Sequence, residues 1–166
     1  MRVLGIDTSL RSSGYGVVES CGSQFKSITY GIIRNPPSRP LSACLANIHR
    51  EVSSLIITTQ PEAVSIEGIF FCKNARTALI LGQARGVVIA CCAVAGLPVF
   101  EHEPRKVKQS VVGYGAADKI QVARMVMRLL NLPDVPEQED ATDALAIALC
   151  QLQSRTGYSA LDPEPL

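Results

Sequence analysis

Two short apolar runs, Val3-Leu4-Gly5-Ile6 and Ala63-Val64-Ser65-Ile66, each end in a carboxylate, Asp7 and Glu67. Runs of this kind read as buried strands. An acid closing a buried strand is costly to desolvate unless something pairs with it. No Lys or Arg lies within either run near its acid. A third segment adds to the constraint. Glu139-Asp140-Ala141-Thr142-Asp143 leads into Ala144-Leu145-Ala146-Ile147-Ala148-Leu149 and reads as a helix. A spacing of three puts Asp140 and Asp143 on one helical face. A bound divalent cation is an attractive partner for such acids. Hard cations such as Mg²⁺ take oxygen ligands, and two of them can hold both sides of a phosphodiester displacement.

The pattern around these segments predicts the sheet. Residues 2–8 make one strand, Ser12-Ser13-Gly14 a turn, Tyr15 to Glu19 a second strand and Phe25 to Ile33 a third. Asn35-Pro36-Pro37-Ser38-Arg39-Pro40 is a loop. Leu41, Leu45, Ile48, Val52, Leu55 and Ile56 then recur at helical spacing over 41–59. A fourth strand covers 63–67, a long helix runs from about Ala75 to Ala95, and Leu97 to Glu101 is the fifth strand. A short helix over 104–111, a Gly113-Tyr114-Gly115 hinge, a helix over 117–130 and a last helix over 138–153 follow. Residues 1–153 form one domain, and 154–166 a flexible tail.

A meander followed by strand–helix–strand alternation predicts an α/β fold, a mixed five-stranded sheet of order 3-2-1-4-5 with helices on both faces. Strand order reverses between the first and fourth strands. Ligand sites favour the carboxyl ends of strands at such a switch point, where Asp7 and Glu67 lie.

Composition limits the function classes. Of 166 residues, 47% are hydrophobic, which supplies a core and excludes a disordered chain. The formal net charge is +1, which does not advertise a nucleic-acid binder. Without the four acids the remainder is distinctly basic, so a cationic rim around an anionic centre is compatible with it. None of the six cysteines forms a C-x-x-C pair, and they read as small core residues in a reducing compartment. No signal peptide opens the chain, and the most apolar stretch, Gly86 to Phe100, is short for a bilayer and broken by Pro98. A soluble cytoplasmic protein, away from membranes, is the expectation.

Several segments together resemble a known family. Gly5-Ile6-Asp7, Ser13-Gly14-Tyr15-Gly16, Ile66-Glu67, Ala78 with Leu81-Gly82-Gln83-Ala84-Arg85-Gly86, Val107-Lys108-Gln109, Val112-Gly113-x-Gly115 and Asp140-Ala141-x-Asp143-Ala144-Leu145-Ala146 look like RuvC-type Holliday-junction resolvases. The match runs in order over about residues 3–150. The resemblance implies a ribonuclease H-like fold, a homodimer and symmetric nicking of four-way DNA junctions in recombination and repair. It implies Asp7, Glu67, Asp140 and Asp143 as catalytic metal ligands for two Mg²⁺ ions per site, with Mn²⁺ as a substitute. It also implies a branch-migration complex of RuvA and RuvB type proteins as partner. One departure is Thr8-Ser9-Leu10-Arg11, where the family usually has Pro-Gly after the acid.

Further residues have a functional and a plain reading. The 75–95 helix is apolar almost all round, so it is either a core helix or packed on sheet and second subunit at once. Gly82 and Gly86 would allow the close approach of a partner helix. Adjacent Phe70 and Phe71 read as one core and one lid residue, or one of them stacks on an exposed base, a role for which the resemblance favours Phe70. Lys73, Arg76, Lys106, Lys108 and Lys119 are candidate DNA-binding residues, with Arg85 and Arg105 as further phosphate contacts, against a plain reading as solvated charges. His49 and His102 carry no functional assignment.

Two alternatives stay open at this level. Gly5-Ile6-Asp7-Thr8-Ser9 also resembles the phosphate-loop strand of actin/hexokinase-like proteins, ATP-handling or non-catalytic, which do not need the 140–143 pair of acids. Another ribonuclease H-like nuclease, acting on RNA, would share the acids but not the Leu81-to-Gly86 segment.

Overall fold

The computed structural model describes residues 1–68, 74–133, 138–154 and 164–166. Its elements are β1 Arg2–Asp7, β2 Ser12–Cys21, β3 Gln24–Arg34, α1 Leu41–Thr59, β4 Ala63–Glu67, α2 Ala75–Val94, β5 Val99–His102, α3 Pro104–Val112, α4 Lys119–Leu130 and α5 Glu139–Ser154. The sheet order is β3-β2-β1-β4-β5, as the sequence pattern predicts. β1 runs antiparallel to β2 and parallel to β4, and β4 runs parallel to β5. A two-residue side-chain period then sorts the core. Val3, Val18 and Ala63 pack with α3, α4 and α5 on one face. Leu4, Ile6, Val17, Val64 and Ile66 pack with α1 and α2 on the other. Leu4, Ile6 and Ile66 are fully buried, each worth about 1.5–3 kcal/mol by transfer from water.

Helix α5 lies unusually close to the sheet, and glycine is the reason. A Cβ on Gly5 would stand 2.1 Å from the Ala144 carbonyl oxygen, and one on Gly14 would stand 1.8 Å from that of Asp140. Ala141, Ala144 and Ala148 supply the matching small side chains from the helix. This contact fixes α5 over the carboxyl end of β1.

Several boundaries differ from the sequence reading. Ser12-Ser13-Gly14 is the first part of β2 rather than a turn, with Ser12 opposite Arg34 and Gly14 opposite Asp7. The turn falls on residues 8–11, closed by the Ser9 N–H donating to Ser13 Oγ at 3.0 Å and the Ser13 hydroxyl donating to the Ser9 carbonyl. The fifth strand starts at Val99 rather than Leu97, because Leu97 N–H still donates to the Cys92 carbonyl of α2 at 3.0 Å. The fourth helix starts at Lys119, since Asp118 is its N-cap, in a reciprocal capping box with Gln121. Ser154 closes α5 rather than opening the tail, its Oγ donating to the Cys150 carbonyl at 2.7 Å. Gly113, in the expected hinge, has φ +82° and caps α3. Cys44, Cys91, Cys92 and Cys150 are buried as expected, whereas Cys21 is exposed, because it ends β2 at the turn before β3.

Candidate active site

β1 and β4 are parallel neighbours with Ile6 opposite Ile66, so Asp7 and Glu67 end adjacent strands side by side. Alternation sends both side chains to the face covered by α5. Gly5 meets Ala144, and the Ser65 hydroxyl donates to the Ile147 carbonyl at 3.2 Å; Asp7 and Glu67 are each two residues further on. Asp140 and Asp143 enter from the start of α5, because Gly14 seats the Asp140 peptide directly opposite Asp7. Asp7, Glu67 and Asp143 line a cleft of about 320 Å³ with Lys108 and Lys119, floored by Val107 and Ile147.

The electrostatics follow from that crowding. Burial, then the carboxylates of Glu67, Asp143 and Asp140, push Asp7 up to about 7. Burial and Asp143 also raise Glu67, against the opposing charges of Lys119 and Lys108. Burial raises Asp143, opposed by Lys119. Lys119 Nζ stands 3.4 Å from both Asp143 Oδ2 and Glu139 Oε2. Asp140 accepts a hydrogen bond from Ser12 Oγ beside the cleft and adds its charge to the crowding at Asp7.

This donor set suits a hard cation. It consists of carboxylate oxygens, and neither the Asp7 nor the Glu67 carboxylate accepts a hydrogen bond within the described residues. Among those residues no three acids converge into a finished ligand shell, since Asp143 is held by Lys119 and Asp140 by Ser12.

A consequence can be measured without any metal. An acid whose folded pKa is raised stabilises the fold below its ordinary value of 3.8, and that contribution is lost as pH rises towards about 7. The metal-free protein should therefore lose melting temperature between pH 5 and pH 8. Asp7→Asn, neutral throughout, should lose several degrees less, corresponding to about 1–3 kcal/mol relieved at pH 8. Thermal melts in EDTA at both pH values decide this. Parallel losses in the two proteins would mean that Asp7 is not the crowded group.

The other expected residues divide by position. Lys108 and Lys119 are in the cleft. Arg76 is exposed in the first turn of α2, beyond the Asn74 cap. Lys106 is exposed on α3, and its charge acts on His102 and Cys150 rather than on the acids. Phe70 and Lys73 lie outside the described residues. Arg85 is not available to phosphate: it is buried, donating to the Glu67 backbone carbonyl at 2.6 Å and paired with Glu101. Gly82 and Gly86 are exposed on α2, with open space where a Cβ would point. Sequence reasoning missed Ser12. The signal was its place two residues before Gly14 on the same face of β2.

Adjacent carboxylates at the switch point of a β3-β2-β1-β4-β5 sheet, beneath a helix carrying two more, define a nuclease of the ribonuclease H-like fold. Comparison narrows the class. The family model for crossover junction endodeoxyribonuclease RuvC matches residues 3–151. The RuvC of Caldicellulosiruptor saccharolyticus is 46% identical over 155 residues, covering 93% of each chain. That of Syntrophomonas wolfei is 45% identical over 154 residues, covering 93% of this chain and 90% of its own. The structure of Thermus thermophilus RuvC in complex with Holliday junction substrate superposes with a TM-score of 0.93 at 34% identity, covering 100% of this chain and 99% of that one. The chain belongs to the RuvC family of crossover junction endodeoxyribonucleases. Nucleases of this family depend on divalent metal.

Proposed function

We propose that this protein resolves four-way DNA junctions by symmetric nicking, with Asp7, Glu67, Asp140 and Asp143 holding two Mg²⁺ ions, for which Mn²⁺ substitutes. The observation that carries the reading is the half-buried pair Asp7 and Glu67 on adjacent parallel strands, lining one cleft with Asp143. Bound there, divalent cations supply an activated nucleophile near neutral pH and stabilise the departing 3′ oxygen, leaving 5′-phosphate and 3′-hydroxyl ends. The chain's own residues do the rest. Burial of Asp7 and Glu67 excludes competing water and strengthens their hold on cations. Lys108 and Lys119, at the cleft, receive the phosphate backbone. Arg76 and Lys106 extend the basic surface, and in this reading Lys73 adds a phosphate contact and Phe70 stacks on an unpaired base at the crossover.

The test is incubation of a synthetic four-way junction with the protein and Mg²⁺, beside a linear duplex of the same sequence. Paired nicks in opposed strands of the junction, with the duplex spared, are expected. An uncut junction, or a duplex cut equally well, would overturn the reading.

Two nicks need two sites, and α2 provides a surface for a homodimer. One side of this helix is buried through Ala84, Arg85, Val88, Cys91 and Cys92. Its other side exposes Leu79 (69%), Val94 (89%) and the two glycines. The helix is long and apolar enough to cross a bilayer by length and composition, but its inner side is committed to the protein core. A second copy covers the outer side in this reading. Gly86→Leu should leave the monomer fold intact, because a Cβ there meets nothing within 4 Å. It should weaken the dimer by about tenfold or more through loss of close helix approach. Sedimentation of both proteins at micromolar concentration checks this. An unchanged dimer, or a monomeric wild type, would count against this use of α2. The setting is the cytoplasm, with RuvA and RuvB type branch-migration proteins as partners.

A further inference from the structure

Arg85 sits midway along α2 with its side chain only 10% exposed. A guanidinium this far from water needs its donors satisfied. Nη1 donates to the backbone carbonyl of Glu67 at 2.6 Å, and Nη2 forms an ion pair with Glu101 Oε2. Both acceptors lie at the carboxyl end of the sheet: Glu67 is the last residue of β4, and Glu101 pairs with Ile66 across to β5. Gly68 completes the arrangement. A Cβ there would stand 2.8 Å from Glu101 Oε1, so the missing side chain makes room for that carboxylate. Gly68 N–H donates to the His102 carbonyl at 2.9 Å. The peptide that leaves Glu67 is thus held from α2 on one side and β5 on the other.

We propose that Arg85 and Glu101 form a clamp that positions the Glu67 carboxylate for metal binding. This rests on the nuclease reading above. Glu67 ends its strand, and like-charged neighbours push its side chain away from the cluster. Fixing its carbonyl fixes the peptide plane, and with it the direction in which the side chain leaves the backbone. The two acceptors are a main-chain oxygen and a carboxylate in different strands. Arginine bridges them because its donors form a rigid planar fork, which the single ammonium of lysine does not reproduce. Glu101 orients the guanidinium and offsets its charge, so both act through Glu67 as positioning residues.

The test compares Arg85→Lys and Glu101→Gln with the wild-type full-length chain. Three quantities are measured: Mn²⁺ affinity of the DNA-free protein by electron paramagnetic resonance, junction affinity in EDTA, and single-turnover cleavage against Mg²⁺ concentration. Mn²⁺ affinity should weaken about tenfold, the size typical of losing an outer partner of a metal ligand. Half-saturating Mg²⁺ should rise by a similar factor, with cleavage recovering as Mg²⁺ is raised. Junction affinity should stay within twofold. Unchanged Mn²⁺ affinity and unchanged Mg²⁺ dependence in both variants would overturn the clamp. So would a cleavage loss that tracks a loss of junction affinity, which would make Arg85 a DNA contact. Should Arg85→Lys fail to fold, Glu101→Gln decides alone, because glutamine keeps an oxygen to accept from Arg85 and the side chain is 38% exposed. Failure of the wild type to cut junctions would sink the nuclease reading instead, while the Mn²⁺ comparison would still judge the clamp.

Discussion

Asp7→Asn or Glu67→Gln should reduce single-turnover nicking of a four-way junction on the order of 10³-fold or more, while junction binding in EDTA stays level or tightens slightly. The two results separate for a physical reason. Each substitution removes a carboxylate from a half-buried cluster whose members already repel one another. The loss falls on metal-assisted chemistry, where a removed ligand is felt in the transition state. Binding to DNA is dominated by phosphate contacts with basic groups, and a carboxylate in the cleft works against those. Asp140→Asn should behave like Asp7→Asn, and Asp143→Asn should be equal or milder. The measurements are cleavage at saturating enzyme and binding by titration at fixed salt. Substantial cleavage by Asp7→Asn under Mg²⁺ would remove the acid cluster from the mechanism.

How far the sequence revealed this site depends on which physical signal each residue carried. Asp7 and Glu67 were legible because a charge closing an apolar strand run conflicts with burial. The sheet order was legible because a meander followed by a right-handed crossover leaves few topologies. Ser12-Ser13-Gly14 misleads because its residue types carry a local turn signal. Gly14 is there for space, to admit a helix that lies 126 residues further along the chain, and no local rule carries that information. Arg85 misled for a related reason. On a helix apolar almost all round, periodicity does not say which side faces inward, and a buried cation looks like a surface one until its partners are seen. Lys119 is legible as part of the basic group, but its pairing with Asp143 and Glu139 depends on how α4 docks against α5.

Gly14→Ala should be the most damaging conservative change outside the acids themselves. Gly14 lies opposite Asp7 in the β1–β2 ladder, and a Cβ there would fall 1.8 Å from the Asp140 carbonyl oxygen and 2.3 Å from its carbonyl carbon. The obstacle is backbone, so no side-chain rotation relieves it. The start of α5 has to move outward by an ångström or more, carrying Asp140 and Asp143 with it. Overpacking of this kind costs about 1–3 kcal/mol, or a fall in melting temperature of roughly 3–10 °C for a chain of this size. Activity should suffer more than stability, because a 1 Å misplacement of reacting groups costs on the order of 10²-fold. Gly5→Ala is the informative comparison. Its Cβ would clash with the Ala144 carbonyl oxygen at 2.1 Å, one helical turn further from Asp140. It should therefore lower the melting temperature by a similar amount, with a smaller loss of cleavage at temperatures where both variants are folded. Melting curves and single-turnover rates on the two variants distinguish a displaced acid pair from a generally weakened fold. A Gly14→Ala protein that melts and cleaves like wild type would mean that α5 does not rest on β2 at this point, and that Asp140 and Asp143 reach the cleft by another route.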